Sequence, residues 1–256
     1  MEHTVLVTGA TAGFGEATTR RFLANGHKVI AVGRRQERLD AIKASLPADQ
    51  QKRLLTLSVD VCDSAKVDKL ASTLPAEFAN VTVLVNNAGL ALGLEPAHQA
   101  FLSDWDRMID TNIKGLVHMS RAFLPGMVER KCGHVINLGS VAANYPYPGG
   151  NVYGGTKAFV KQFSLNLRAD LIGTPVRVTC IEPGMCAGTE FSNVRFKGDD
   201  DKASKVYTGV KALSADDVAE AIYWSATLPS HMNINVLELM PVQQAFNAFN
   251  IHRGEL

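Results

Sequence analysis

The stretch "TVLVTGATAGFGEATTRRFLANG", residues 4–26, decides the reading of the fold. It opens on the β-branched run "TVLVTG", which reads as a buried strand. It then turns through Gly9, Gly13 and Gly15, spaced GxxxGxG, and continues as a helical pattern that stops at Gly26. Glycines at such a turn let the backbone come close to a pyrophosphate while the N-terminus of the following helix faces its charge. A glycine-rich turn alone is a weak signal. A strand before it and a helix after it make dinucleotide binding the expectation.

The same alternation continues along the chain. Strands are expected at 28–33, 54–61, 81–89, 133–140, 176–184 and 234–239, and helices at 36–46, 63–74, 104–130, 151–172 and 214–228. Asp63 and Ser214 are the expected N-caps of their helices. Near-continuous apolar strands alternating with helices imply a parallel sheet covered on both faces. No linker, internal repeat or low-complexity block interrupts the pattern. The expectation is therefore one α/β domain over 1–256, with a lid at about 185–213 and a C-terminal tail at about 240–256. The run "GDDDK" (198–202) reads as a solvated loop.

Composition narrows the classes. Of the 256 residues 46% are hydrophobic and 20% charged, which allows a large core, and the formal net charge is +1. No long basic run supports nucleic-acid or membrane binding. No apolar run of about 18 residues suggests a membrane span. The N-terminus lacks the pattern of a signal peptide, so a cytoplasmic location is expected. Cys62, Cys132, Cys180 and Cys186 form no CxxC pair, and the seven histidines form no ligand cluster, so no metal site is expected. The cysteines read as small buried hydrophobes.

The end of the second strand discriminates between cofactors. An acid there would hold an adenosine ribose 2′-hydroxyl, but the chain reads "VGRRQERL". Arg34 and Arg35 suit a 2′-phosphate by bidentate contact, which favours NADP over NAD.

GxxxGxG at 9–15, "NNAG" at 86–89, Asn112, Ser140 and the pair Tyr153 and Lys157, four apart, occur in the order and spacing of the short-chain dehydrogenase/reductase family. The resemblance covers essentially the whole chain. It implies a Rossmann-type doubly wound sheet of strand order 3-2-1-4-5-6-7. It also implies a cofactor site made by Gly9, Thr11, Gly13, Phe14 and Gly15, by Asp60 and Val61 beside the adenine, by Asn87, Ala88 and Gly89, and by Pro183, Gly184 and Thr189 at the nicotinamide end. The catalytic set that it implies is Asn112, Ser140, Tyr153 and Lys157. Tyr153 would be general acid in reduction and base in oxidation, Ser140 would hold the substrate oxygen, Lys157 the nicotinamide ribose, and Asn112 a water relaying protons to Lys157. A phenol with a pKa of about 10 is a poor base near neutrality, and Lys157 is placed to stabilise its phenolate.

The family usually has a threonine four residues after the glycine of its Pro-Gly pair, whereas "PGMCAGTEF" puts Thr189 five after Gly184. The longer loop brings Met185 and Cys186 toward the substrate. The segments "TGATAGFGE", "GRRQERL" and "GTEFSNVRFKGDD" resemble the NADP-dependent 3-hydroxy acid dehydrogenases within this family. That resemblance implies oxidation of L-allo-threonine, serine, 3-hydroxypropionate or 3-hydroxyisobutyrate, reduction of malonic semialdehyde, and a cytosolic homotetramer. A broad carbonyl reductase, a 3-oxoacyl reductase and a non-catalytic NADP-binding regulator stay open as alternatives. A buried substrate carboxylate needs a partner. Arg195 in the lid is the candidate clamp, the alternative being a solvent-facing cation.

Overall fold

The computed structural model describes residues 2–246. Seven strands form one parallel sheet in the order β3-β2-β1-β4-β5-β6-β7: β1 Thr4–Thr8, β2 Lys28–Gly33, β3 Leu54–Ser58, β4 Val83–Asn86, β5 Gly133–Leu138, β6 Val176–Pro183 and β7 Val236–Leu239. The expected strand order is the one found. The chain reverses direction across the sheet between β1 and β4, and the crevice above such a switch point is where ligands bind.

Alternate residues of each strand serve opposite faces. Val5 and Val7 pack with Phe22 and Leu23 of α1 (Gly13–Ala24) and with Val218 and Ile222 of α10 (Ala215–Thr227). Leu6 packs on the other side with α4 (Ser64–Thr73), α6 (Leu116–Glu129) and α7 (Asn151–Asp170). The remaining helices are α2 (Gln36–Ala44), α3 (Ala48–Lys52), α5 (Leu102–Ile109), α8 (Phe191–Arg195) and α9 (Asp200–Lys205). Asp63 accepts from Lys66 N at 3.1 Å, and Ser214 with Asp217 forms a capping box, so both expected caps are present. No helix among the described residues is long and apolar enough to cross a membrane.

Four expectations change. The helix expected at 104–130 is two helices joined by a π-helical turn at Asp110–Gly115, which re-aims Asn112. The run at 198–202 is not simply a loop: Asp199 accepts from Lys202 N at 3.0 Å and opens α9. Of the cysteines expected to be buried only Cys180 is; Cys62 is exposed, and Cys132 and Cys186 are half-buried. The strand expected to reach residue 61 ends at Ser58, which leaves Asp60 and Val61 on the loop above the sheet. The last ten residues of the proposed tail lie outside the described residues.

At the opposite end of the sheet from the switch-point crevice, His3, His27 and His134 gather near Arg177, which caps α10 by donating to the carbonyls of Ser225 and Ala226. Burial holds His3 down at about 4, and burial holds His27 and His134 below the ordinary histidine value. The unfolded chain therefore takes up protons first as the pH falls below about 6.5. The stability these neutral histidines contribute is present above that pH and is lost as the pH falls toward about 4. The urea midpoint should drop over this window, and His3→Gln, which cannot titrate, should flatten the slope. An unchanged slope would put the acid sensitivity elsewhere.

Candidate active site

The glycine turn is held by the neighbouring loop. Asn87 donates through Nδ2 to Thr8 O at 2.8 Å and to Gly9 O at 3.3 Å, and the amides of Asn87 and Ala88 donate to Thr8 Oγ1. This contact is why two of the glycines cannot be larger. Gly9 has φ +65°, and a Cβ there would lie 2.9 Å from Ala88 Cα. A Cβ on Gly15 would lie 2.3 Å from Gly9 O. The result is a cradle of bare backbone at the N-terminus of α1, which suits a pyrophosphate.

A cavity of about 250 Å³ runs from this cradle. One end is bounded by Arg34, Arg35, Asp60 and Val61, and the other by Gly89, Tyr153 and Lys157. Thr11, Phe14, Asn87, Ala88 and Thr189 also line it. Gly15 shapes the turn from below. Pro183 and Gly184 are not on this cavity and line a second one beyond it, with Ser140, Met185, Cys186 and Arg195. The two cavities share Phe14, Gly139, Tyr153, Thr189 and Phe191. Tyr153 thus stands where they join.

The first turns of α7 face inward, so Tyr153 and Lys157 are both buried. Burial pushes the Tyr153 phenol up to about 12, while the Ser140 hydroxyl and the Arg195 guanidinium pull it the other way. Burial brings the Lys157 ammonium down to about 8. Its Nζ donates to Leu138 O at 2.7 Å and lies 5.8 Å from the centre of the Tyr153 ring. In this arrangement Lys157 does not hold the phenol below its ordinary value, because burial of the ring outweighs the groups that lower it. The cation that acts on the phenol is Arg195, 5.3 Å from the ring centre.

Asn112 is buried in the π turn and does most of its hydrogen bonding to protein. Its Nδ2 donates to Leu90 O and Thr156 Oγ1, and its Oδ1 accepts from Leu90 N, all at 2.9–3.0 Å. One lone pair of Oδ1 is left. It faces Gly89, where a Cβ would lie 3.2 Å from Oδ1 and 3.6 Å from Lys157 Nζ. Ser140 extends from the end of β5 and accepts from Ala142 N at 3.1 Å. Met185 N donates to Gln244 Oε1 at 2.7 Å, and burial pushes the Cys186 thiol up to about 12, so that thiol is inert near neutral pH.

Several site residues were missed in the sequence. Tyr147 receives a hydrogen bond from Arg195 Nη2, and Phe191 packs edge-on against Tyr153 at 5.7 Å. Arg38 and Glu190 join Arg35 at the mouth of the first cavity. For Arg38 a signal existed, since it follows Arg35 by three residues and shares its helix face. Glu190 meets Arg35 across 155 residues of chain, a separation that no local pattern reveals.

Residues 3–200 match the family model described as short chain dehydrogenase. The chain belongs to the short chain dehydrogenase family. It is an oxidoreductase by that membership, and the similarity to individual short chain dehydrogenases extends over nearly all of it. It is 62% identical over 249 residues to the NADP-dependent 3-hydroxy acid dehydrogenase YdfG of Escherichia coli (strain K12), covering 97% of this chain and 99% of that protein. It is 53% identical over 253 residues to the serine 3-dehydrogenase of Agrobacterium fabrum (strain C58 / ATCC 33970), covering 99% of both. Among solved structures, the closed form of serine dehydrogenase complexed with NADP+ superposes with a TM-score of 0.94 at 62% identity, over 98% of this chain and 99% of that one. The fold is therefore common to this chain and to a relative solved with NADP+.

Proposed function

We propose that the protein is an NADP-dependent dehydrogenase of small 3-hydroxy acids, with serine and L-allo-threonine as its first candidate substrates. The observation that carries this reading is the meeting of the two cavities at Tyr153. The first has the bare-backbone cradle and the arginines that a phosphorylated dinucleotide needs. The second is lined by aromatic and apolar side chains, and Arg195 is its single charged residue among those described. One cation in a neutral pocket selects an anion, because a neutral ligand would leave the guanidinium desolvated without an opposite charge. The names of the similar proteins support the same class. Extending it to 3-hydroxypropionate, 3-hydroxyisobutyrate and malonic semialdehyde rests on the chemistry they share, a carboxylate near the reacting carbon. A cytoplasmic homotetramer is part of the proposal.

Bound NADP supplies the hydride acceptor. The protein's own groups do the rest. In oxidation Ser140 orients the substrate hydroxyl, and Tyr153 takes its proton. Lys157 is placed to hold the ribose hydroxyls and, with Asn112 across Gly89, to pass the proton outward. Phe191 and Phe14 line the junction with apolar rings. Asn112 also acts as a positioning residue, because it fixes the Leu90 backbone against α7. The four catalytic positions are all filled, which disfavours a regulator without turnover.

The test is steady-state oxidation of L-serine, L-allo-threonine and an uncharged alcohol of similar size, each with NADP and with NAD. Hydroxy acids with NADP should be used best, and a tenfold preference in kcat/KM for NAD or for the uncharged alcohol would overturn the reading. Arg34 is exposed and makes no ion pair among the described residues, so Arg34→Asp should not harm the fold. It should lower kcat/KM for NADP by roughly 10-fold or more, the scale of one lost charge-assisted contact, and leave NAD use unchanged or improved.

A further inference from the structure

We propose that Glu190 sets the affinity for the 2′-phosphate of the dinucleotide by occupying its arginines as an anion that the phosphate must displace. The inference rests on the NADP reading above. Glu190 follows Thr189 and is the N-cap of α8. Its Oε2 accepts from Arg35 Nη2 at 2.9 Å, and its Oε1 accepts from Arg38 Nη1. The same Arg35 Nη2 donates to Thr11 Oγ1 at 2.9 Å, so the carboxylate lies at the rim of the glycine turn and lines the first cavity. Two carboxylate oxygens bridging two guanidinium groups occupy the donors a phosphate would use.

The bridge is built to exchange. The side chains of Arg35, Glu190 and Arg38 are 39%, 39% and 45% exposed, and ion pairs at such exposure contribute little to stability. Arg35 and Arg38 hold the Glu190 carboxyl below its usual range, so it is an anion at any pH at which the enzyme would work. A phosphate carries up to two charges and three acceptor oxygens, and it outcompetes one carboxylate for the same donors. A dinucleotide without the 2′-phosphate has no need to move Glu190. The residue therefore lowers affinity for one cofactor class and not for the other, which places the control of selectivity on the lid as well as on α2.

Titration calorimetry of the apoprotein with 2′,5′-ADP and with 5′-ADP tests this without turnover. Wild type should bind 2′,5′-ADP more tightly. Glu190→Gln should tighten 2′,5′-ADP by roughly five- to tenfold, the modest scale of a half-exposed charge-assisted contact, and leave 5′-ADP unchanged. Wild-type discrimination with no tightening in the Gln variant would overturn the competition while keeping the NADP reading, and weaker binding would mean that Glu190 orders the arginines instead. Equal binding of the two probes by wild type would overturn the NADP reading and this inference with it.

Discussion

Tyr153→Phe should lower turnover by at least about 100-fold, the usual scale for losing a general acid–base group. Phenylalanine keeps the packing of the ring against Phe191 and the guanidinium of Arg195 above it. It removes only the hydroxyl at the junction of the two cavities. The cradle, Arg34, Arg35 and Lys157 are untouched, so NADPH binding should survive, measured by fluorescence titration. Near-normal turnover would refute the assignment of Tyr153. A loss of NADPH binding would mean that the hydroxyl serves the cofactor rather than the proton.

The pH dependence follows from the same burial. With its phenol pushed up to about 12, Tyr153 is protonated at neutral pH and ready to act as acid in reduction. Oxidation needs it deprotonated. The kcat/KM for oxidation should therefore climb as the pH rises, whereas reduction should not. Oxidation that declines between pH 7 and 9 would show that another group limits the proton transfer.

How far the sequence carried can be judged residue by residue. The glycine turn, the strands and the inward pair Tyr153 and Lys157 were legible because each depends on local chemistry: positive φ at Gly9, buried apolar runs, and i,i+4 spacing on α7; the strand order, which is not local, came from the family resemblance. The π turn was not, because it depends on Asn112 reaching across 22 residues to the backbone of Leu90. The state of the two titrating groups was also hidden. Spacing suggested that Lys157 would acidify the phenol, but spacing carries no information on desolvation, the largest cause of both shifts. The segment expected as a lid is the third case. Its short helices α8 and α9 have little propensity signal of their own, and long-range contacts hold the segment: Arg195 on Tyr147 and, through its carbonyl, on Gly93 N.

Arg195→Met is the change that should separate substrates most sharply. Sequence alone left Arg195 between a carboxylate clamp and a solvent-facing cation, and the geometry favours the first. Its guanidinium lies 5.3–5.5 Å from the ring centres of Tyr147, Tyr153 and Phe191, and its Nη2 donates to the Tyr147 hydroxyl. Its Nε is buried and has no partner among the described residues. An arginine held by three rings, with an unused donor and Tyr153 among those rings, is preorganised for an anion. For L-serine or L-allo-threonine, kcat/KM should fall by roughly 10- to 100-fold, matching about 1.5–3 kcal/mol for a charge-assisted bond. An uncharged alcohol or aldehyde should behave differently, because it never used that bond. Its kcat/KM should change little, since methionine fills a similar volume against the same rings. Arg195 also acts on the Tyr153 phenol, and that effect would appear in both substrates equally as a shifted pH profile. The ratio of the two losses therefore isolates the carboxylate contact. A ratio near one would assign Arg195 to the tyrosine or to the fold of its own segment, and the proposed preference for hydroxy acids would need another source.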